Sequence, residues 1–331
     1  MRCLVASGSS TLIDRVEEQV ARVLPGVELL PPARTGSEVV RRTGLEAPDL
    51  LFLDLELPRM DGLTTLRALA APRPRTIVLT PDTLDGGRAA WDALRMGARD
   101  LLSKRAIQHA DRDPEADASV AAVLRGSLTP FLPPAARRVL LRSRPSAPAE
   151  LADSGLLFLS LGTGRLVRAA RCLRRQAAGI LAPILVDLGS SSRLTRGLCE
   201  GLDRMIDLPV RIAVRDERPV PRQILVIPGG YRARIDRGDG PVRLGLEREP
   251  VHGAAGPQRR RTLRDLLDPS RTGVAVAIDT PADLVDLESI AREAIDRRRL
   301  FHLVAGSPTG PNLPHLRTVT ALRIRSSRIP A

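Results

Sequence analysis

The stretch with the clearest chemical potential is an apolar run, Leu50–Leu53, followed directly by a carboxylate, Asp54. Turn-forming residues bound the run, which predicts a short strand buried on both faces of a parallel sheet. Pro58 and Asp61-Gly62 then predict a turn, with a helix over 63–69. Open α/β sheets carry out their chemistry at the carboxyl ends of their strands. Asp54 is therefore the first candidate for a functional residue.

The elements needed to position Asp54 follow from the pattern around it. Apolar runs predict five strands, at 3–6, 27–30, 50–54, 76–79 and 100–102. Apolar residues at helical spacing over 12–23 predict a helix after the first strand, and 37–43 predicts a short one after the second. Strands that alternate with helices indicate a flavodoxin-like, doubly wound parallel sheet over residues 1–105.

The Asp54 stretch resembles the phosphoacceptor segment of two-component receiver domains, in which a strand and an aspartate precede the pattern M-P-x-M-D-G. Here the pattern reads Leu57-Pro58-Arg59-Met60-Asp61-Gly62. The resemblance implies that Asp54 is the phosphoacceptor, that Thr80 contacts the phosphoryl group and that Lys104 pairs with it. Lys104 is the only lysine of the chain, which supports this role because an ammonium and a guanidinium are not interchangeable.

The sequence departs from the receiver pattern at the end of the first strand. Receivers carry an acidic pair there that holds magnesium, whereas this chain has Ser7 and Gly8. The aromatic switch position is Leu101, and Arg105 stands where a proline usually follows the lysine. We therefore expect no cofactor beyond weakly bound magnesium, and slow or absent phosphorylation of Asp54.

A linker and a second domain are predicted after the receiver-like region. Residues 106–153 are rich in Ala, Pro, Arg and Asp, with a helix predicted only over 115–124, and are typical of an interdomain connection. In residues 154–331, strands are predicted at 156–161, 183–187, 210–214, 224–227 and 274–278, and helices at 166–175, 193–205, 262–267 and 282–297. This alternation indicates a second doubly wound α/β domain.

The second domain resembles the catalytic domain of the chemotaxis response-regulator protein-glutamate methylesterases. The resemblance is strongest around Gly162, over 198–204 and at Pro228-Gly229-Gly230, and weak after Ser289. That family joins a receiver to a serine esterase that removes methyl groups from chemoreceptor glutamates. The resemblance implies the same two-domain arrangement for this chain.

The catalytic residues of that family are not all present. The nucleophile turn G-A-S-T-G-G reads Ser160-Leu161-Gly162-Thr163-Gly164-Arg165, so Gly162 stands at the serine position. Leu188 stands at the histidine position, and the carboxylate falls near Asp283. Loss of the nucleophile or the base alone costs a serine protease about 10⁶ in turnover. We therefore expect a degenerate esterase domain.

Other residues of this domain offer weaker alternatives. Ser160 lies inside the predicted strand and not at the elbow, and the serines at 190–192 are typical of a helix cap. The turn Gly162–Gly164 has a faint likeness to a phosphate-binding turn at a helix N-terminus. None of the four histidines matches a catalytic position of the family; they are His109, His252, His302 and His315.

Composition constrains the partners. The net charge is +13, and residues 154–331 hold 30 basic and 18 acidic side chains, which favours acidic partners. Aromatic residues are 2% of the chain, so single-stranded nucleic acid is not expected to stack on it.

The three cysteines fit neither a disulfide framework nor a zinc site. No apolar run is long enough for a membrane span, and we expect a soluble, cytoplasmic protein without membrane insertion.

Three functions remain open. The first is a non-catalytic signalling protein of the methylesterase-regulator type, whose partners would be chemoreceptors or signalling proteins, with a histidine kinase among the candidates. The second is an active protein-glutamate methylesterase that uses displaced residues such as Ser160. The third is a basic nucleic-acid-binding module, which rests on net charge alone.

Overall fold

The computed structural model describes residues 1–112, individual residues between 116 and 124, residues 156–177, 182–236 and 243–248, and three further strands at 274–279, 302–303 and 320–321.

The N-terminal region is a parallel sheet of five strands in the order β2-β1-β3-β4-β5. The strands are β1 (Arg2–Ala6), β2 (Glu28–Leu29), β3 (Leu50–Asp54), β4 (Arg75–Thr80) and β5 (Asp100–Ser103). The helices are α1 (Ser10–Val23), α2 (Gly36–Glu46), α3 (Gly62–Ala68), α4 (Leu84–Arg95) and α5 (Lys104–His109). The flavodoxin-like fold predicted from the alternation is confirmed.

The central strand β3 is apolar because both of its faces are covered. Phe52 packs in one core with residues of α1 and α5. Leu51 and Leu53 point to the opposite face and share a core with residues of α3 and α4. Every residue of β3 is buried, including Asp54 at its end, so the strand fixes the position of that carboxylate.

Two helices of this region were not predicted. Helix α4 fills the gap between β4 and β5, and α5 begins at Lys104, so it crosses the boundary expected at residue 105. Ile107 and Ala110 belong to the same core as Phe52. The receiver-like core therefore extends beyond residue 105, although the exact domain limits stay a prediction.

The second sheet is parallel, with strand order β12-β6-β7-β9-β8. Its strands are β6 (Leu156–Leu161), β7 (Ile184–Asp187), β8 (Val210–Ile212), β9 (Ile224–Val226) and β12 (Val274–Asp279). Its helices are α6 (Leu166–Gln176), which follows a 3-10 turn at Thr163–Arg165, and α7 (Ser192–Asp203). The predicted second α/β domain is confirmed; the helices predicted at 262–267 and 282–297 lie outside the described residues.

Two antiparallel pairs accompany this sheet. Strands β10 (Tyr231–Asp236) and β11 (Arg243–Arg248) pair in the register Tyr231↔Arg248, and β13 (His302–Leu303) pairs with β14 (Thr320–Ala321). None of the four was predicted from the sequence.

The two α/β regions meet where α4 packs against α7. A Cβ added to Gly197 would lie 2.5 Å from the carbonyl oxygen of Leu84, so the two helix backbones are close enough that only glycine fits. A Cβ added to Gly201 would collide with the indole ring of Trp91. Arg88 adds an ion pair to Glu200, with its Nε 2.6 Å from Oε2. Glycine backbones and one tryptophan thus hold α4 and α7 together.

Candidate functional site

Asp54 lies at the carboxyl end of β3 with hydrogen-bond donors on both carboxylate oxygens. It is 3% exposed. Ser7 Oγ donates to Oδ2 at 2.7 Å, and the backbone N–H of Glu56 donates to Oδ1 at 2.9 Å. Lys104 Nζ lies 2.6 Å from Oδ1 and 2.7 Å from Glu56 Oε2. The carboxylate is thus neutralised by an ammonium and by two dipoles, as a buried charge requires.

The resemblance to receivers implies that Lys104 pairs with a phosphoryl group on Asp54. The structure brings the two residues together because β5 ends next to β4, which pairs with β3. Thr80 ends β4 at the same edge. Its hydroxyl donates to the carbonyl of Gly86, in the first turn of α4, at 2.9 Å. The Thr80 hydroxyl is therefore bonded to α4, the helix that packs against α7, and not to the Asp54 carboxylate.

The residues around Asp54 do not fit a magnesium ion. Magnesium sites use carboxylate and other oxygen ligands in octahedral geometry. Ser7 offers one hydroxyl, which donates to Asp54, and Gly8 offers no side chain. Within the described part of the chain, no cluster of three His, Cys, Asp or Glu residues could hold a metal.

The turn after β3 is built by Asp61 and Gly62. Asp61 caps α3 by accepting a hydrogen bond from the Thr64 backbone N–H at 2.9 Å. This bond, with a second from the Thr64 hydroxyl, holds the pKa of Asp61 below its usual value. A Cβ on Gly62 would lie 2.5 Å from the Asp54 carbonyl oxygen, so glycine is required for the turn to close over β3.

The corresponding edge of the second sheet lacks a nucleophile and a base at the expected positions. Gly162 follows β6 and begins the 3-10 turn. Leu188 follows β7 and is 1% exposed, with its side chain in the core. Asp283, the predicted carboxylate, lies outside the described residues. Gly162 and Leu188 do come to the same edge, as expected from their strands, because β6 and β7 are neighbours.

The receiver-like region is bonded to this edge at two places. The Thr163 hydroxyl donates to Asp100, which begins β5, and a Cβ on Gly164 would collide with the Arg99 carbonyl oxygen. The Ser191 hydroxyl donates to Asp82, just before α4. Asp82 and Asp100 were not identified from the sequence, because nothing in a linear pattern shows which loop meets another domain.

Ser160 lies within β6 and not at its end. It is 1% exposed and its Oγ has no hydrogen-bond partner among the described residues. It is paired in register with Asp187 of β7. The carboxylate of Asp187 accepts the backbone N–H of Gly189 at 2.8 Å. A hydroxyl buried inside a strand is a poor position for attack on a large substrate.

The remaining candidate residues have structural roles or lie apart from both edges. Ser191 is the N-cap of α7, which confirms the cap prediction for this serine run. His109 is exposed at the end of α5, and His302 lies in β13. His252 and His315 lie outside the described residues. Burial raises the pKa of the Cys3 and Cys199 thiols to about 12, so both stay protonated and unreactive.

None of the helices in the described residues has the length and apolarity needed to cross a bilayer.

Comparisons with known proteins agree with this architecture. Residues 18–110 match the response regulator receiver domain family. The chain is 29% identical to a protein-glutamate methylesterase/protein-glutamine glutaminase of Symbiobacterium thermophilum, over 76% of this chain and 73% of that protein. It is 29% identical to a relative of the same name in Myxococcus xanthus, over 78% of this chain and 74% of that one. A relative of that name in Archaeoglobus fulgidus is 26% identical, over 76% and 73%.

Two solved structures of Thermotoga maritima proteins are similar to parts of this chain. The catalytic domain of Thermotoga maritima CheB methylesterase is 16% identical with a TM-score of 0.38, over 47% of this chain and 80% of that one. The response regulator domain of Thermotoga maritima CheB is 23% identical with a TM-score of 0.34, over 40% of this chain and 98% of that one.

Proposed function

We propose, on the premise that this chain belongs to the chemotaxis family of receiver-containing protein-glutamate methylesterases, that it is a member that signals by binding and not by ester hydrolysis. The observation that carries this proposal is the turn after β6. Gly162 stands where a nucleophile is needed, and the neighbouring Thr163 is hydrogen-bonded to Asp100 of the receiver-like region.

Ester hydrolysis of this type needs a nucleophile, a base within hydrogen-bond reach and an orienting carboxylate. Gly162 has no side chain, and Leu188 has an apolar side chain packed in the core. Of the two hydroxyl residues beside this turn in the sequence, Thr163 donates a hydrogen bond to Asp100 and Ser160 is buried in β6. The scaffold of the esterase is present without the groups that would break the bond.

In this proposal the scaffold serves as a recognition surface. The receiver-like region keeps Asp54 and Lys104 in contact, and its helix α4 is packed on α7 of the second domain. Chemoreceptors, or a histidine kinase that acts with them, are the expected partners. Any phosphoryl group would be accepted by Asp54, with Lys104 as the cation that pairs with it and Thr80 as the hydroxyl that contacts it. We expect this transfer to be slow or absent, because Ser7 and Gly8 replace the acidic pair of receivers.

The proposal is tested with the full chain and purified cytoplasmic fragments of methylated chemoreceptors and of their histidine kinase. Methanol release measures ester hydrolysis, and co-sedimentation or interferometry measures binding. We expect binding to at least one fragment and no methanol release above the rate of buffer alone. The Ser160→Ala variant serves as a matched control, since it removes the buried hydroxyl and leaves the surface unchanged.

Two results would overturn the proposal. Methanol release that Ser160→Ala abolishes would make the chain an esterase with displaced residues. Failure to bind any fragment of a chemoreceptor or kinase would remove the binding role.

A further inference from the structure

Helix α6 carries three arginines on the side that faces away from the core. Leu166, Ala170 and Leu173 are buried, and at 100° per residue they lie opposite Arg168, Arg171 and Arg175. Arg171 and Arg175 are exposed and Arg168 is partly exposed. We call these three residues the arginine strip.

The arginine strip has no counter-charge in the described structure. Helix α6 contains no acidic residue. Among the described residues, the one ion pair of α6 joins Arg174 to Asp207, with Nε 3.7 Å from Oδ2, and both side chains are exposed. No carboxylate among the described residues pairs with Arg168, Arg171 or Arg175. The strip therefore presents a positive face to solvent.

The N-terminal end of α6 lies near the receiver-like region. Burial, together with the nearby guanidinium groups of Arg165, Arg75 and Arg168, lowers the pKa of Arg99, while Asp100 raises it. Because Arg99 and Arg75 belong to the receiver-like region, Arg168 of the arginine strip lies near the contact between the two domains.

We propose that the arginine strip is the docking face for an acidic α-helix of a signalling partner, which rests on the binding function proposed above. Arg168, Arg171 and Arg175 are separated by about 4.5 and 6 Å along the axis. A helix lying beside α6 places carboxylates at i, i+3 and i+7 at the same intervals. Planar guanidinium groups bind carboxylates with two parallel hydrogen bonds, so the strip can fix the register of such a helix.

A nucleic acid fits the strip less well. The three arginines span only about 10 Å of helix, whereas even a single DNA-binding module buries about 600–1,000 Å². Helix α6 also has no aromatic side chain on which bases could stack. The arginine strip is as wide as one helix, so its size fits a partner helix better than a nucleic-acid duplex.

The test uses a fluorescein-labelled, lactam-stapled helical peptide of alanine with glutamate at i, i+3 and i+7, and a matched peptide with glutamine at those positions. Fluorescence anisotropy with the full chain measures affinity. We expect the glutamate peptide to bind at least tenfold more tightly than the glutamine peptide. Arg171→Glu with Arg175→Glu should weaken it by at least tenfold.

A second double variant controls for net charge. Arg41 and Arg105 are exposed on α2 and α5, so Arg41→Glu with Arg105→Glu makes the same change of charge elsewhere. We expect this variant to bind the glutamate peptide as the unmodified chain does. Thermal melts check that both variants are folded. We expect both to fold, because substitutions at exposed positions have little effect on stability.

Three outcomes would overturn the inference: equal affinity for the two peptides, equal loss in the two double variants, or tighter binding of a 20-base-pair duplex that the strip variant abolishes. Its failure can be distinguished from that of the proposed function. If the strip variant still binds chemoreceptor or kinase fragments normally, the binding role stands and only the docking face is wrong.

Discussion

The Asp54 site and the Gly162 turn occupy equivalent places, each at the carboxyl edge of a parallel sheet, but they differ in which positions depart from the sequence patterns that they resemble. At the first, Asp54 is buried and bonded to Ser7 and Lys104, and the departures lie around it. At the second, the departures fall at Gly162 and Leu188, where the resemblance to the methylesterases implies a nucleophile and a base.

This difference determines what each site can still do. The Asp54 carboxylate lies beside the Lys104 ammonium group, and Ser7 and Gly8 stand at the positions that are acidic in receivers. The residues at the Gly162 edge serve structural contacts, because Leu188 packs in the core and Thr163 donates a hydrogen bond to Asp100. On the function proposed above, the Asp54 site would gain a metal site through substitutions beside the carboxylate, whereas ester hydrolysis at the Gly162 turn would need a new nucleophile and a new base.

The largest effect on stability is expected from removing the Trp91 side chain of α4, which packs over Gly201 of α7. Trp91→Ala removes a side chain that is 1% exposed. It should lower the free energy of unfolding by about 3–5 kcal/mol, through lost burial and the cavity left behind. Urea denaturation followed by circular dichroism measures this.

Leu45→Ala is the matched control for Trp91→Ala, because Leu45 is 74% exposed. It should change the free energy of unfolding by no more than about 0.5 kcal/mol. A Trp91→Ala cost below about 1 kcal/mol, far under the usual range for a buried tryptophan, would mean that α4 and α7 do not stabilise each other.

An intermediate effect is expected from restoring acidic residues at the rim of the Asp54 site. A Cβ on Gly8 would lie 3.3 Å from Pro58 Cδ, so Gly8→Asp fits with a small shift. Ser7→Asp with Gly8→Asp places two carboxylates beside Asp54, and their repulsion should be relieved by magnesium. Magnesium at about 100 times its Kd should stabilise this variant by about 2.7 kcal/mol, with little effect on the unmodified chain.

Mass spectrometry after incubation with acetyl phosphate and magnesium extends the same test. The restored variant should gain a phosphoryl adduct that Asp54→Ala removes, and the unmodified chain should gain little or none. Equal adduct formation by the two proteins would show that the acidic pair is not what limits chemistry at Asp54.

The smallest effect concerns Asp61, the cap of α3 next to the Asp54 strand. Asp61→Ala should cost about 1 kcal/mol, the usual value of an N-cap. The pKa of Asp61 is lowered in the folded state from its usual 3.8. The contribution of the Asp61 charge to the free energy of unfolding is therefore fully present above about pH 4. It is lost as pH falls through the lowered pKa.

Denaturation of the Asp61 variants between about pH 2.5 and 7, which spans the titration of the carboxyl group, measures this dependence. Asp61→Asn keeps a capping oxygen without the charge, so it should retain most of the stability at neutral pH and lose the acid-dependent part. A stability difference between the unmodified chain and the Asp61→Asn variant that grows as pH falls would contradict the expected sign.

Much of the receiver-like sheet could be predicted because its strands are short, wholly apolar and bounded by turn residues. The position of Lys104 beside Asp54 agrees with the resemblance to receivers, which implies that both residues contact the same phosphoryl group. Helix α4 was missed although Leu84, Trp91 and Leu94 recur at helical spacing, because Gly86-Gly87 interrupts its first turn. Gly87 allows α4 to pack closely against α7, since a Cβ on Gly87 would lie 2.6 Å from the Leu194 carbonyl oxygen.

The candidate sites were less predictable than the strands. The absence of a serine at 162 and of a histidine at 188 could be seen in the sequence. The bond from Thr80 to Gly86, and the contacts of Asp82 and Asp100 with the second domain, depend on how loops from distant parts of the chain meet. Local patterns carry no information on such contacts.

The apolar core itself has a consequence for how the chain unfolds. Val78 of the first sheet, Trp91 of α4, Leu198 of α7 and Val186 of the second sheet belong to one continuous cluster. A unit of unfolding is set by shared burial and not by domain limits in the sequence. The amides in the middle of α4 should therefore exchange with solvent only when both sheets open together, so that the two domains behave as one cooperative unit.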